Sequence, residues 1–328
     1  MPSASASRQR GVALIIALVL MALATILAVK IGFGGFIERK RTTSILAAEQ
    51  AFQFAMGAEA LAADVLNQDS QSGQQDTLAE PWAQSPDAIP LRPPNDPEGE
   101  PMGTLEGSLE DQSGRFNINN LLKVLPDQKT IDPEPLEEFT RLLLLVNLEP
   151  KWAKLARDWM DADADVDFPD GAEDAVYSAQ NPPYRTSDWP MLSTSELLSL
   201  PGFGAERFQK IAPFITALPV HDAKINVCTA PGVVLDMMTQ HDEFASNPDA
   251  LIKGRKSGCF PDKNALQVSV DTATWTRINA LLSENSDYFR LTTRVTLGST
   301  EFTLYSLLFR DSKTTKKVTP ILRSFGTT

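Results

Sequence analysis

From Val12 to Val29 the chain runs 18 residues without a charge, and only Thr25 among them is polar. As a helix rising about 1.5 Å per residue, this run nearly crosses the roughly 30 Å hydrocarbon layer of a bilayer, and the stretch Ile31 to Ile37 extends it. A secretory signal has a shorter apolar core, about 7–15 residues, closed by small residues before a polar start. Here Ala22-Leu23-Ala24 is followed by TILAV, still apolar, so the pattern favours an anchor that is kept. Charge does not orient it, because Arg8 and Arg10 precede the run while Lys30, Arg39, Lys40 and Arg41 follow it. Beyond it, Ala47, Ala48, Ala51, Phe52, Phe54, Ala55, Ala58, Leu61, Ala62 and Val65 recur at helical spacing, with Glu49, Glu59 and Asp64 among them. One helix over 12–66 is expected, loosened at Gly32, Gly34 and Gly35.

Proline, glutamine and acid crowd residues 67–103, which read as loop. GTLEGSLEDQSGRFNINNLL (103–122) holds two short alternating runs about a turn, the pattern of a hairpin. From Asp132 to Leu218 the signals are helical. AKINVCTAPGVVLDMM then reads as a short strand leading into a helix, TWTRINALLSEN as a further helix. DYFRLTTRVTLG, EFTLYSLLFRD and KKVTPILRSFG alternate and are separated by turn residues, a three-stranded antiparallel meander. Strands, about 100 helical residues, then strands again describe an α+β unit carrying a large inserted all-α domain. The expected divisions are 1–11 as leader, 12–66 as anchor and stem, 67–118 as loop and first strands, 119–219 as insert and 220–328 as the remaining αβ part.

Thirty basic against 42 acidic residues leave a net charge of −12, which argues against nucleic acid as the main partner. The acid is concentrated: 126–190 contains 15 Asp and Glu against 6 Lys and Arg. Cys228 and Cys259 lie in no CxxC pair, so metal or thioredoxin chemistry is disfavoured. In an extracytoplasmic domain they read as one disulfide closing about 30 residues and contributing about 3 kcal/mol, with two buried free thiols as the alternative.

The strongest polar cluster is DWMDADADVDFPDGAEDAVYSAQNPPYR (158–185). Asp161, Asp163, Asp165 and Asp167 alternate as the first ligands of an EF-hand do, but Val166 stands where that loop wants glycine and Ala172 where it wants the closing glutamate. An EF-hand is rejected. Two readings stay open on spacing alone: a solvated acidic loop, or carboxylates whose repulsion a hard cation relieves. Catalysis finds no support. Nothing sets an acid apart from a base, and His221 and His241 lie in no HExxH. SELLSLPGFGAERFQKIAPFI (195–215) is similar to the helix-hairpin-helix that presents backbone N–H groups to DNA phosphate. Glu196 and Glu206 flank its turn, so the hairpin reads as packing, with Leu197, Leu198, Leu200, Phe203, Phe208 and Ile211 in the core.

The junction of Arg10-Gly11 with the apolar run resembles the leader of type IV pilins and of the pseudopilins of type II secretion, in which a prepilin peptidase cuts after the glycine on the cytoplasmic side. The resemblance implies a cut between Gly11 and Val12, N-methylation of Val12, and an apolar helix kept as anchor and then as filament core. Most members have glutamate fifth after the cut, where this chain has Ile16. A buried carboxylate there needs the amine of the subunit ahead, and isoleucine does not. Together with the bulky insert and the INVxTAP stretch, the chain resembles the minor pseudopilin K family of type II secretion systems. That resemblance implies a pilin-like fold, no enzyme activity, and a place at the tip of the pseudopilus, where it initiates or limits assembly. It implies single-pass residence in the inner membrane with the globular part in the periplasm. The implied partners are minor pseudopilins I and J, the major subunit, the inner-membrane assembly platform and the prepilin peptidase. It further implies structural calcium in the helical domain, held by Asp161, Asp163, Asp167, Glu173 and Asp174, with Asp158 and Asp165 as further candidates. The rivals are a membrane-anchored metal-dependent hydrolase and a DNA-uptake pseudopilin that uses the hairpin.

Overall fold

The computed structural model describes residues 10–73, 75–93, 95–127, 130–311 and 317–325; residues 1–9 of the expected leader lie outside them. Helix α1 (Arg10–Ser72) is unbroken for 63 residues. The expected loosening at Gly32, Gly34 and Gly35 is absent: the helix passes through them, with open space where a Cβ would stand. Glycine costs about 1 kcal/mol in a helix interior, less than the apolar and alanine-rich runs on either side supply. Among the described residues, α1 is the one helix long and apolar enough to cross a membrane, and its large apolar side chains from Val12 to Ile37 are exposed.

Five antiparallel strands form the sheet in the order β1 (Ile89–Leu91), β2 (Gly103–Asp111), β7 (Tyr288–Leu297), β8 (Thr300–Arg310) and β9 (Val318–Phe325). The meander is as the alternation predicts: Phe289, Leu291, Thr293, Val295 and Leu297 of β7 are all buried, and Arg294 is exposed. The lower half of α1 lies across this sheet. Ala51, Ala55, Glu59, Ala62 and Leu66, spaced by four, four, three and four, are its buried stripe. Glu59 sits inside that stripe, so it is a core-facing charge. Burial pushes its pKa up, but hydrogen bonds from Arg323 (2.8 Å to each oxygen) and Ser306 (2.6 Å) hold it below the ordinary value.

The expected hairpin at 103–122 is not formed. β2 runs straight into the sheet, and β3 (Phe116–Asn117) pairs in parallel with β4 (Ile215–Thr216). What redirects the chain is asparagine chemistry. Asn117 donates to the Val220 carbonyl (2.6 Å) and accepts from Leu218 N (2.8 Å). Asn119 bridges Met191 and Leu218, and Asn120 exchanges hydrogen bonds with Ala223. The loop expected over 67–103 contains the short edge strand β1.

The helices are α2 (Glu134–Leu145), α3 (Lys151–Asp158), α4 (Asp174–Tyr177), α5 (Gly204–Ile211), α6 (Gly232–Thr239), α7 (Pro248–Arg255), α8 (Lys263–Ser269) and α9 (Thr272–Ile278), with β5 (Ile225–Asn226) paired to β6 (Leu282–Ser283). One hydrophobic core runs from Phe116 to Leu282, so the helices after residue 220 pack together with those of the expected insert. Two smaller cores lie between α1 and the sheet. The helical body meets the sheet through a buried polar knot. Asp111, at the end of β2, accepts from Ser286 Oγ (2.6 Å), Thr229 Oγ1 and Asn226 Nδ2 (3.2 Å). Cys228 and Cys259 are joined in a disulfide with their Cα atoms 4.5 Å apart. Beside it the buried Arg255 donates to the carbonyls of Val227, Ala230 and Phe260.

Candidate metal centre

α3 ends at Asp158, and the chain turns tightly, with Asp161 N donating to the Arg157 carbonyl (2.9 Å). This turn buries Asp158 and Asp161 beneath the loop that returns through Gly171 to Glu173, the residue before α4. Gly171 is required there: a Cβ would come within 2.1 Å of Asp158 Oδ2. Under the loop, Trp159, Tyr177 and Tyr184 form an aromatic cluster with ring centroids 5.2, 5.5 and 6.3 Å apart.

Asp161, Asp163 and Glu173 each bring one carboxylate oxygen within 4.8 Å of the others. Asp161 Oδ1, Glu173 Oε1 and the neighbouring Asp158 Oδ1 are buried and have no hydrogen-bond partner. Burial, followed by mutual repulsion, pushes Asp161 and Glu173 up to about 7; burial, with Asp167 nearby, pushes Asp158 up to about 6. The local cation is engaged elsewhere: Arg157 pairs with Asp167. Asp167 is thus withdrawn from the cluster, its backbone N–H donating to Asp158 Oδ2 (3.1 Å). Asp174 also turns away. Its Oδ1 accepts from Thr186 N and Oγ1 at 3.1 and 3.0 Å. Asp165 is exposed, and its N–H donates to Asp163 Oδ1 (2.9 Å).

A second trio, Asp69, Asp76 and Glu80, has the same compactness and a different electrostatic solution. Arg310 pairs with both Asp69 (3.1 Å) and Asp76, and Glu80 accepts from Trp82 Nε1 and Thr77 N, each at 2.8 Å. Sequence reading missed this site because its cation is more than 200 residues away from its acids. Burial and the neighbouring acids push Asp69 up to about 6 as well. What separates the first trio is its unpartnered buried oxygens without a paired cation, a set of oxygen ligands that could hold a hard divalent ion such as calcium.

The hairpin turn spends its cation internally. Gly202 and Gly204 take φ of 80° and 72°, and Arg207 Nη1 donates to the carbonyls of Gly202 and Phe203 at 3.0 Å each, with its guanidinium over Trp152. His221 and His241 are exposed, away from both trios.

Residues 114–220 match the family model for type II secretion system protein K. A type II secretion system protein K from Pseudomonas aeruginosa is 31% identical, covering 92% of this chain and 89% of its own length. The chain belongs to the type II secretion system protein K family. Members from Pectobacterium carotovorum (31% identical, 98% of this chain, 97% of its own) and Aeromonas hydrophila (30%, 93% and 94%) are similar over nearly their whole lengths. The crystal structure of the GspK-GspI-GspJ complex from the type 2 secretion system of enterotoxigenic Escherichia coli contains a chain of the same fold. It has a TM-score of 0.75 at 24% identity over 88% of this chain and 100% of that one. As a protein K, the chain is a minor pseudopilin of a type II secretion apparatus.

Proposed function

We propose that this protein K ends the pseudopilus at its tip, in contact with minor pseudopilins I and J, and that its helical body stands in the periplasm. The observation that carries the reading is the apolar face of α1, which has no carboxylate before Glu38 and places Ile16 fifth after Gly11. A pseudopilin with a carboxylate at that depth requires a cationic neighbour to offset its desolvation; Ile16 requires none. The helical body, whose core is larger than those beneath the sheet, supports the same position as bulk against which a stacked subunit would have to pack. The role is one of shape, without catalysis. Leader cleavage after Gly11 would expose Val12, and N-terminal sequencing of membrane-extracted protein checks that residue. Calcium would be held by Asp161, Asp163 and Glu173 with the orphaned oxygen of Asp158 beside them, fixing the loop over the aromatic cluster. In cells that assemble surface pseudopili, loss of this chain should give longer filaments, and its restoration shorter ones. Unchanged filament length would sink the tip assignment.

A further inference from the structure

Between α2, α6 and the turn after α9 the helical body encloses a half-open pocket of about 210 Å³, lined by Phe116, Pro135, Glu138, Lys224, Met238 and Leu281. Glu138 is only 4% exposed, and its Oε1 has no hydrogen-bond partner. The nearest cation is contested. Arg277 Nη1, from α9, donates to Glu134 Oε1 at 2.6 Å and stands 3.6 Å from Glu138 Oε1, while its Nη2 donates to the Met238 carbonyl (2.7 Å).

Two of the other charges nearby have partners. Arg141, also on α2, pairs with Glu134 (3.4 Å) and Glu137 (3.9 Å) and donates to the Met237 carbonyl. Lys123, on the segment before α2, pairs with Asp132 (2.7 Å). Asp222 and Lys224 contribute one charge of each sign to the lining. α6 faces the pocket with Met238, its Asp236 being turned to the backbone N–H groups of 243–245. With acids and bases so balanced, nothing in the pocket selects a ligand of either sign. What remains is one guanidinium between two carboxylates.

We infer that Glu138, Glu134 and Arg277 form a proton-controlled latch between α2 and α9. With Glu138 neutral, Arg277 Nη1 belongs to Glu134. When Glu138 loses its proton into solvent, the buried charge needs a donor, and Nη1 closes the gap from 3.6 Å to hydrogen-bond distance. That shift ties α9 to α2 through Glu138 as well as Glu134. Burial, followed by the charge on Glu134, pushes Glu138 up to about 7, which sets the changeover near neutrality. The two helices lie on either side of the seam between the residues matched by the family model and those that follow, within one hydrophobic core, so the latch adds a pH-dependent charge contact across that seam.

The test is hydrogen–deuterium exchange on the full chain in detergent micelles, with calcium in excess, at pH 6 and pH 8 after correction for intrinsic exchange. Peptides covering 134–145 and 272–278 should differ several-fold in protection between the two pH values, and Glu138→Gln should abolish the difference. Arg277→Gln, which keeps the titrating acid and removes the contested cation, should abolish the difference in 272–278 while 134–145 keeps the loss that the buried acid causes alone. A wild-type chain with equal protection at both pH values overturns the latch, as does a pH difference in 272–278 that survives in either variant.

Discussion

Asp158, Asp161 and Glu173 have pKa values raised above those of an unfolded chain. The proton linkage therefore has a definite sign. Without metal, their contribution to stability is fully present below about pH 4 and is lost as pH rises to about 7. Bound calcium reverses this, because it takes the ionised form. In EDTA the melting temperature should fall from pH 5 to pH 8; in millimolar calcium that fall should shrink or vanish. Glu173→Gln should raise the melting temperature of the metal-free chain at pH 8 and remove most of the calcium-induced gain. A chain whose melting is insensitive to EDTA at pH 8 argues against an ion at this site. Gly171→Ala tests the loop itself: the 2.1 Å approach to Asp158 Oδ2 forces the backbone away, and a loss of about 1–3 kcal/mol in urea unfolding is expected.

At the scale of elements, α1 and the sheet are fastened by two charge clusters, the buried Glu59 with the exposed Arg323, and the buried Arg310 with Asp69 and Asp76. Removing the cation leaves the acids uncompensated, so Arg310→Met should cost about 3–5 kcal/mol by urea denaturation. Asp76→Asn in the same background should recover part of that loss. Neither cluster is legible in the sequence, because its partners join only when β8 and β9 pair beside α1. Glu59 looks like one more surface charge until the spacing of Ala51, Ala55, Ala62 and Leu66 puts it on their face. The meander and the long helix are legible, since each follows a local period of two or 3.6 residues. RFNINNLL misleads for the opposite reason: its alternation suggests a strand, while its asparagines bond to backbone about 70 to 100 residues away. The acidic loop announces its chemistry by composition. Which of its carboxylates share a site depends on the turn after α3 and on Arg157, and spacing encodes neither.

For the whole molecule, the separation of cores decides how it comes apart. The helical body and the contact between α1 and the sheet share no core residues and meet at the polar knot around Asp111. Calcium withdrawal should therefore expose the 150–190 region to limited proteolysis well before the 288–310 strands, while digestion of both at one rate would argue against separable cores. The unbroken course of α1 has a mechanical meaning. Sixty-three residues at about 1.5 Å each make a shaft of about 95 Å. With no break at Gly32, Gly34 or Gly35, one helix joins the apolar run to the residues beneath the strands. The protein thus carries movement of its anchor to its head as displacement along one helix.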